Sequence, residues 1–329
     1  MSFCEFFLFL KTLTTKKIFN FLLREVMKFW AFSKKKIKFL GVPWSVSVEP
    51  CNICNLKCKQ CPSGLGLLKR ERTNIKISDF CQVVDQIYST TLNLFLYFQG
   101  EPFVNKHFIE MVKYAKQKNI YTVTSSNGHF IDMDTAEKTV LSGLDKIIIS
   151  LDGYNQQTYE VYRKGGNFSV VLKAIENLSV AKKKLHKKNP IIEVQTLATS
   201  YNENNLKKIK KMAFLLGADK FAIKTMQIEV GDYEFFLPKN NKLSRYEKKT
   251  DGTYQLKRKV KFCSRVFDSA VVSSKLDVVP CCYDKDTNFV LGNISQKSFN
   301  EIVKGKKTLE FLTLILSKKR PNICENCVG

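Results

Sequence analysis

The sequence predicts an α/β protein built on a parallel sheet, and three observations carry that expectation. Residues 43 to about 225 alternate short, β-rich apolar runs with longer segments at helical spacing, the pattern of repeated βα units. Six such units can be counted, which suits either a βα barrel or an open doubly wound sheet. The composition is that of a folded chain of one large or two modest domains: 329 residues, 44% apolar and 26% charged. Disorder, collagen-like repeats and a small disulfide scaffold are excluded.

In chain order, residues 1–42 come first and join Phe3, Phe6, Phe7, Phe9, Phe19, Phe21, Phe29, Trp30 and Phe32 to Lys16, Lys17, Lys28, Lys34, Lys35 and Lys36. Such a basic, aromatic helix suits an anionic membrane surface, but a strong apolar moment also marks a core-facing helix. The preferred expectation is a helix packed on the outside or bottom of the barrel, with peripheral membrane contact as the alternative. The strand candidates then run 44–49, 92–99, 121–125, 146–151, 191–198 and 220–225. Amphipathic helix candidates at 78–89, 108–118, 133–141, 170–184 and 206–216 separate them, several opened by Ser, Asp or Asn at a capping position. Residues 43–230 therefore read as the core domain. Residues 231–261 are charged and aperiodic, a connecting segment. Residues 262–329 form a second, smaller unit that holds five of the eleven cysteines.

Charge and targeting signals narrow the setting. The 54 Lys+Arg and 30 Asp+Glu leave +24, enough to attract nucleic acid, anionic membrane or acidic substrate. Lysine is nonetheless spread through the whole chain without an Arg/aromatic motif, so a solvated basic surface is expected and no specific nucleic acid. No run of 18 apolar residues occurs, and Phe6 to Leu10 is cut short by Lys11, so no spanning helix is expected. Nor does that run resemble a secretory signal, since Glu5 opens it. A cytoplasmic protein is expected. Cysteines there are rarely disulfides, and clustered ones ask for metal or catalysis.

The chemistry concentrates directly after the first strand, at the carboxyl end where either architecture places its ligand. The chain reads Cys51-Asn-Ile-Cys54-Asn-Leu-Lys-Cys58-Lys-Gln-Cys61-Pro62, with Cys54, Cys58 and Cys61 spaced C-x3-C-x2-C. Structural zinc wants four ligands, usually as two separated pairs, whereas a [4Fe-4S] cube on three cysteines leaves one iron open.

With this loop the sequence closely resembles the radical S-adenosylmethionine (SAM) superfamily, from about residue 43 to the end. Gln99-Gly100-Glu101-Pro102 stands where the family has Gly-Gly-Glu-Pro, so Gly100, Glu101 and Pro102 are expected to hold the amino group of SAM. Ser126-Asn127-Gly128 matches the family's Thr-Asn-Gly, and Ser150-Leu151-Asp152-Gly153 closes the fourth strand with Tyr162-Arg163 beyond it. By resemblance Ser126, Asn127, Ser150, Asp152 and Arg163 join the cofactor site, Ser150 and Arg163 near the SAM carboxylate or ribose. The resemblance implies a partial (β/α)6 TIM-type barrel. It also implies one-electron cleavage of SAM to a 5′-deoxyadenosyl radical that abstracts hydrogen from substrate, fed by a donor such as flavodoxin or ferredoxin. Cys51, where many relatives have Thr, is read as structural. Gln60 replaces a common aromatic, so any aromatic wall over the cluster must come from elsewhere.

The C-terminal unit resembles the SPASM/twitch extension, which binds auxiliary iron–sulfur clusters. Its cysteines are Cys263, Cys281, Cys282, Cys324 and Cys327, and the sequence ends two residues later. One auxiliary [4Fe-4S] cluster on Cys263, Cys281, Cys324 and Cys327 is expected, with Cys282 the weaker substitute for Cys281 and zinc the alternative metal. Tyr283 and Asp284 are assigned either to substrate or to loop packing. About forty residues precede the first strand, which favours a sugar-like or lipid-linked small molecule over a peptide. The alternatives are a peptide- or protein-modifying maturase and, in a different class, a zinc-stabilised binding protein with a basic surface and no catalysis.

Overall fold

The computed structural model describes residues 3–229, 231, 235–258, 263–317 and 320–327. Two helices lead in, α1 (Phe3–Leu10) and α2 (Thr15–Lys34), parted where the Thr14 side chain accepts from the Lys17 amide at 3.3 Å and caps α2. Six parallel strands follow: β1 (Ser45–Val48), β2 (Asn93–Phe95), β3 (Tyr121–Ser126), β4 (Lys146–Ser150), β5 (Ile191–Ala198) and β6 (Lys220–Thr225). Each pairs with the next in sequence order, which is the expected open (β/α)6 arrangement. The helices between them are α3 (Pro62–Leu65), α4 (Ile77–Ile87), α5 (Phe108–Gln117), α6 (Met133–Leu141), α7 (Gln156–Tyr162), α8 (Phe168–Lys184) and α9 (Leu206–Leu215).

The alternation along each strand sorts side chains between two environments. Val46, Val48, Leu94, Leu96, Ile147, Ile149, Ile192 and Val194 are buried outward against the helices. The lumen side instead carries Ser45, Ser47, Asn93, Lys146, Glu193 and Lys220. At its lower end Lys146 pairs with Glu193 at 2.5 Å and with Glu5 of α1 at 3.3 Å, and Lys220 also pairs with Glu5. The first helix thus plugs the barrel with a carboxylate that two lysines neutralise. Those lysines hold the Glu5 carboxyl below its usual range, although burial alone would raise it.

Three departures from the sequence-based expectation have physical causes. The predicted strand 92–99 ends at Phe95, because the chain beyond is drawn to the β1 loop, where the Gln99 amide donates to Glu49 Oε1 at 3.2 Å. Residues 231–261 are not merely a connection: β7 (Tyr246–Lys248) and β8 (Tyr254–Leu256) form an antiparallel hairpin within them. The C-terminal unit joins the main sheet. After α10 (Arg265–Asp268), β9 (Ser269–Val272) pairs in parallel with β1, and β10 (Asp277–Val279) and β11 (Gly292–Asn293) extend it antiparallel, giving the order β11-β10-β9-β1-β2-β3-β4-β5-β6. Two helices, α11 (Phe299–Val303) and α12 (Lys306–Leu316), complete it.

The N-terminal segment does pack on the bottom of the barrel, but with the opposite face from the one its apolar moment suggests. Here α2 crosses the amino-terminal ends of the strands, which present bare carbonyls. Lys17 Nζ donates to Asn119 O at 2.6 Å, Asn20 Nδ2 to Val42 O at 3.0 Å and Thr90 O at 3.2 Å, and Arg24 to Phe267 O. Buried carbonyls demand donors, so Lys17, Asn20 and Arg24 turn inward, and Met27 and Ala31 continue the same buried face. No described helix is long and apolar enough to cross a membrane.

Candidate functional site

At the carboxyl end of β1 the chain leaves the sheet at Glu49, fully buried, whose carboxylate takes Arg70 in a bidentate pair at 2.5 Å and also the Ser274 amide at 3.1 Å. This pair anchors the start of the cysteine loop. Cys51 is buried, its Sγ donating to Glu101 O at 3.0 Å. Cys54 and Cys61 are half-buried and Cys58 is buried. Burial pushes the Cys54 thiol up to about 11 and Cys58 to about 12; charge on Cys61 raises both further and charge on Cys54 raises Cys58, while Arg163 opposes the rise. Metal loading here must therefore expel protons.

Three segments from other strand ends close around the loop. Gly100 has φ +73°, and a Cβ there would lie 2.6 Å from Cys51 O and 2.7 Å from Ile53 O, so only glycine lets this backbone lie against the loop. The next residue, Glu101, donates its amide to Ile53 O at 2.8 Å. Its buried carboxylate accepts from the Asn127 amide at 2.7 Å and the Phe103 amide at 3.3 Å. Burial raises the Glu101 carboxyl to about 7, against those hydrogen bonds. Asn127 sends Nδ2 to Asn55 Oδ1 at 2.8 Å and to Cys54 Sγ at 3.8 Å.

From the β4 side comes Arg163. The amides of Lys57 and Lys59 donate to the carbonyls of Lys164 and Tyr162 at 2.9 and 3.1 Å, strapping the cysteine loop to the end of α7. Arg163 Nη1 then reaches Cys58 Sγ at 3.7 Å, and Nε donates to Asp152 Oδ2 at 2.5 Å. Asp152 Oδ1 accepts the Leu197 amide at 2.6 Å, so both its oxygens are engaged. Burial alone would lower the Arg163 guanidinium, but Asp152 and Cys58 together hold it fully charged.

In the C-terminal unit Cys263, Cys281, Cys324 and Cys327 lie within electrostatic reach of one another. Cys281 is buried among Met27, Phe267, Phe311 and Leu312, with Cys263 and Cys324 at the edge of that cluster. Burial raises Cys263, Cys281 and Cys324, the last to about 11, and charge on each of Cys263, Cys324 and Cys327 raises one or more of the others. Cys282 is exposed and takes Arg265 Nη1 at 3.4 Å. Among the described residues, no three His, Cys, Asp or Glu gather tightly enough for a single metal ion. The donor chemistry of both sets, thiols alone with cationic and amide donors around the first, fits an iron–sulfur cluster.

Comparison with known proteins decides the family. A profile of the radical SAM superfamily matches residues 48–216, more than half of the chain, and one of an iron-sulfur cluster-binding domain (SPASM) matches residues 263–328. The chain belongs to the radical SAM superfamily. Mycofactocin maturase MftC of Mycolicibacterium smegmatis is 31% identical over 142 residues, 43% of this chain and 36% of the maturase. The chain thus matches only about a third of the length of such relatives. The AdoMet-dependent heme synthase of Methanosarcina barkeri is 22% identical over 81% of this chain and 83% of that protein. Streptococcus suis SuiB shares the fold, with TM-score 0.65 and 14% identity over 88% of this chain and 73% of that one.

In this radical SAM chain, Cys54, Cys58, Cys61, Gly100, Glu101, Pro102, Asn127 and Arg163 lie around one loop. Ser126 and Asp152 stand behind it: Ser126 Oγ accepts from the Gly128 amide at 3.0 Å, and Asp152 props Arg163. On β3 it is Ser125 that shares the lumen face with Tyr121 and Val123, and on β4 Ser150 shares it with Lys146 and Ile148. Asp284 is a loop-packing residue, accepting the Asn288 and Phe289 amides at 2.8 Å. The aromatic wall missing at Gln60 is supplied from a distance. Tyr162, Leu237 and Tyr246 bury Leu56 and Cys58, with Phe236 and Tyr254 packed against them, and Gln60 instead accepts the Glu229 amide at 2.7 Å. Tyr246 Oη donates to Asn326 Oδ1, between Cys324 and Cys327, tying this wall to the C-terminal thiols. Glu49, Asn55 and the β7–β8 hairpin carried no sequence signal for these roles.

Proposed function

We propose that this chain is a radical SAM enzyme in which Cys54, Cys58 and Cys61 hold the SAM-binding [4Fe-4S] cluster, and Cys263, Cys281, Cys324 and Cys327 hold one auxiliary [4Fe-4S] cluster. The observation that carries this reading is the convergence of three thiols, a buried carboxylate and a buried-side guanidinium at one set of strand ends. When bound, the cluster and SAM supply reductive S–C5′ cleavage and hydrogen abstraction from substrate. Glu101 and the main chain at Gly100 and Pro102 receive the amino group. Arg163, with Ser150, receives the carboxylate or ribose, and Asp152 keeps its guanidinium aimed. Asn127 holds Asn55 and the Cys54 side of the loop. Tyr162, Leu237 and Tyr246 keep water from the buried thiols.

For the substrate we favour a sugar-like or lipid-linked small molecule that is oxidised with help from the auxiliary cluster. A chamber of about 340 Å³ between the lumen and the C-terminal unit supports this, lined by Ser45, Ser47, Tyr97, Phe98, Arg265 and Cys282 among others. Hydroxyls and a guanidinium beside the rings of Phe95, Tyr97 and Phe98 suit a polyol or an anionic sugar. A peptide substrate is the second reading, favoured by the maturase relatives.

The test is anaerobic reconstitution followed by incubation with SAM and dithionite. Release of 5′-deoxyadenosine is expected, with a loss of tenfold or more in Arg163→Ala or Glu101→Ala at limiting SAM. No release from protein with an intact cluster overturns the proposal. Deuterium carried into 5′-deoxyadenosine from a labelled small-molecule extract supports the first substrate reading, and transfer only from labelled peptides supports the second.

A further inference from the structure

The pole of the barrel opposite the cysteine loop is covered by a helix turned inside out. Because Lys17, Asn20 and Arg24 of α2 face the strand ends, Ile18, Phe19, Leu22, Val26, Phe29 and Trp30 face outward, each at least 41% exposed and Phe29 70%. Their three- and four-residue spacing sets them in one stripe along the helix. On α1, Phe6, Phe7 and Leu10 are exposed as well. Nine of the 21 exposed large apolar side chains among the described residues thus fall between residues 6 and 30. Scattered exposed apolar residues need no explanation, but a concentrated patch marks an interaction surface.

Charge identifies what the patch fits. Exposed lysines bracket it, Lys11 and Lys16 at one end and Lys34, Lys35, Lys36 and Lys38 at the other. On α2 the only acidic side chain, Glu25, is paired with Lys28 at 2.6 Å. A second copy meeting this face across a two-fold axis would set lysine clusters against lysine clusters. Phosphate headgroups answer that charge, and acyl chains answer the stripe. Behind Ile18 and Phe21 a cavity of about 520 Å³, walled also by Phe9, Leu13 and Trp44, continues the apolar surface into the protein.

We propose that α1 and α2 seat this protein on an anionic phospholipid bilayer. The stripe lies at the boundary of the acyl chains and the flanking lysines lie against headgroup phosphates, the geometry of an interfacial amphipathic helix. In this pose the carboxyl ends of the strands, with the cysteine loop, point away from the lipid. The inference is independent of the SAM chemistry proposed above.

The test is co-sedimentation of the reconstituted full chain with vesicles of phosphatidylcholine alone and of equal parts phosphatidylcholine and phosphatidylglycerol. Binding is expected to the anionic vesicles and to be weakened roughly a hundredfold in Lys34→Gln/Lys35→Gln/Lys36→Gln, since each lysine near such a surface contributes about fivefold. Phe19→Ser/Leu22→Ser/Phe29→Ser is expected to abolish it while leaving melting temperature and iron content unchanged, because these side chains already face outward. Absence of binding to anionic vesicles, equal binding to both vesicle types, or binding untouched by the apolar variant overturns the proposal. So does a dimer in light scattering that the apolar variant dissociates.

Discussion

Asp152→Asn isolates the positioning of Arg163 without touching the cysteine loop. The Asp152 side chain is 1% exposed and the Arg163 side chain 18%, with Nε and Oδ2 at 2.5 Å. Asparagine keeps the size and one acceptor but loses the charge, and its amide must face either the guanidinium or the Leu197 N–H. Removing one partner of a buried pair costs about 3–5 kcal/mol, and water reaching the partly open arginine reduces this to roughly 2–3 kcal/mol. In a chain of 329 residues that lowers the melting temperature by about 3–4 °C. The control, Glu160→Gln, breaks an exposed pair with Lys164 at 3.7 Å and should cost under about 1 kcal/mol. With Arg163 receiving SAM as proposed, a loosened guanidinium would also give up a charge-assisted hydrogen bond, about 1.5–3 kcal/mol, or roughly 10- to 150-fold in Kd. Anaerobic thermal unfolding and calorimetric titration with SAM read both effects. The double variant Arg163→Met/Asp152→Leu should regain most of the stability and none of the SAM affinity. An Asp152→Asn protein that melts with Glu160→Gln and binds SAM like the wild type would refute the reasoning.

Three other outcomes follow from the same geometry. Gly100→Ala forces a Cβ against Cys51 O and Ile53 O and should at least halve the iron recovered on reconstitution, whereas Gly165→Ala, with φ +80° and nothing within 4 Å of its Cβ, should keep full iron; equal iron in the two contradicts the close-approach argument. Glu101 is raised from 4.5 to about 7 by burial, so the SAM-free fold binds its proton more tightly than the unfolded chain, and stability falls as pH rises from about 4.5 to 7 and levels off above. Glu101→Gln should flatten that slope by about 3 kcal/mol in urea midpoints taken across this range, and parallel profiles would count against it. Cys281→Ser should remove the auxiliary cluster and about half of the iron, while Cys282→Ser, exposed beside Arg265, should keep both; the reverse result would exchange their roles.

What was legible in the sequence was local. The strands at 191–198 and 220–225 and the helix at 133–141 have the expected bounds, because alternation, caps and glycines mark them residue by residue. The cysteine loop and Gly100-Glu101 were legible for the same reason, since their chemistry sits on consecutive positions. Contacts that join distant segments were not. Nothing near Asp152 announces that both its oxygens are taken by Arg163 and Leu197, and the hairpin that walls Cys58 lies in a stretch without periodicity. Helix α2 shows a different limit. Its period was plain, but a moment says only that two faces differ, and the carbonyls at the strand ends decided which face turned inward. On β3, counting alternation from Tyr121 would have named Ser125 rather than Ser126 as the lumen residue.

The central claim is that two separate thiol sets each carry a four-iron cluster and that only the first one cleaves SAM. Iron and sulfide counting on anaerobically reconstituted protein, alongside the 5′-deoxyadenosine assay, tests it most directly when repeated on Cys54→Ala/Cys58→Ala/Cys61→Ala. About eight irons in the wild type, falling to about four with complete loss of 5′-deoxyadenosine in the triple variant, is the expected result for two cysteine-held cubes. Zinc in place of iron, or SAM cleavage that survives the triple variant, would contradict the account.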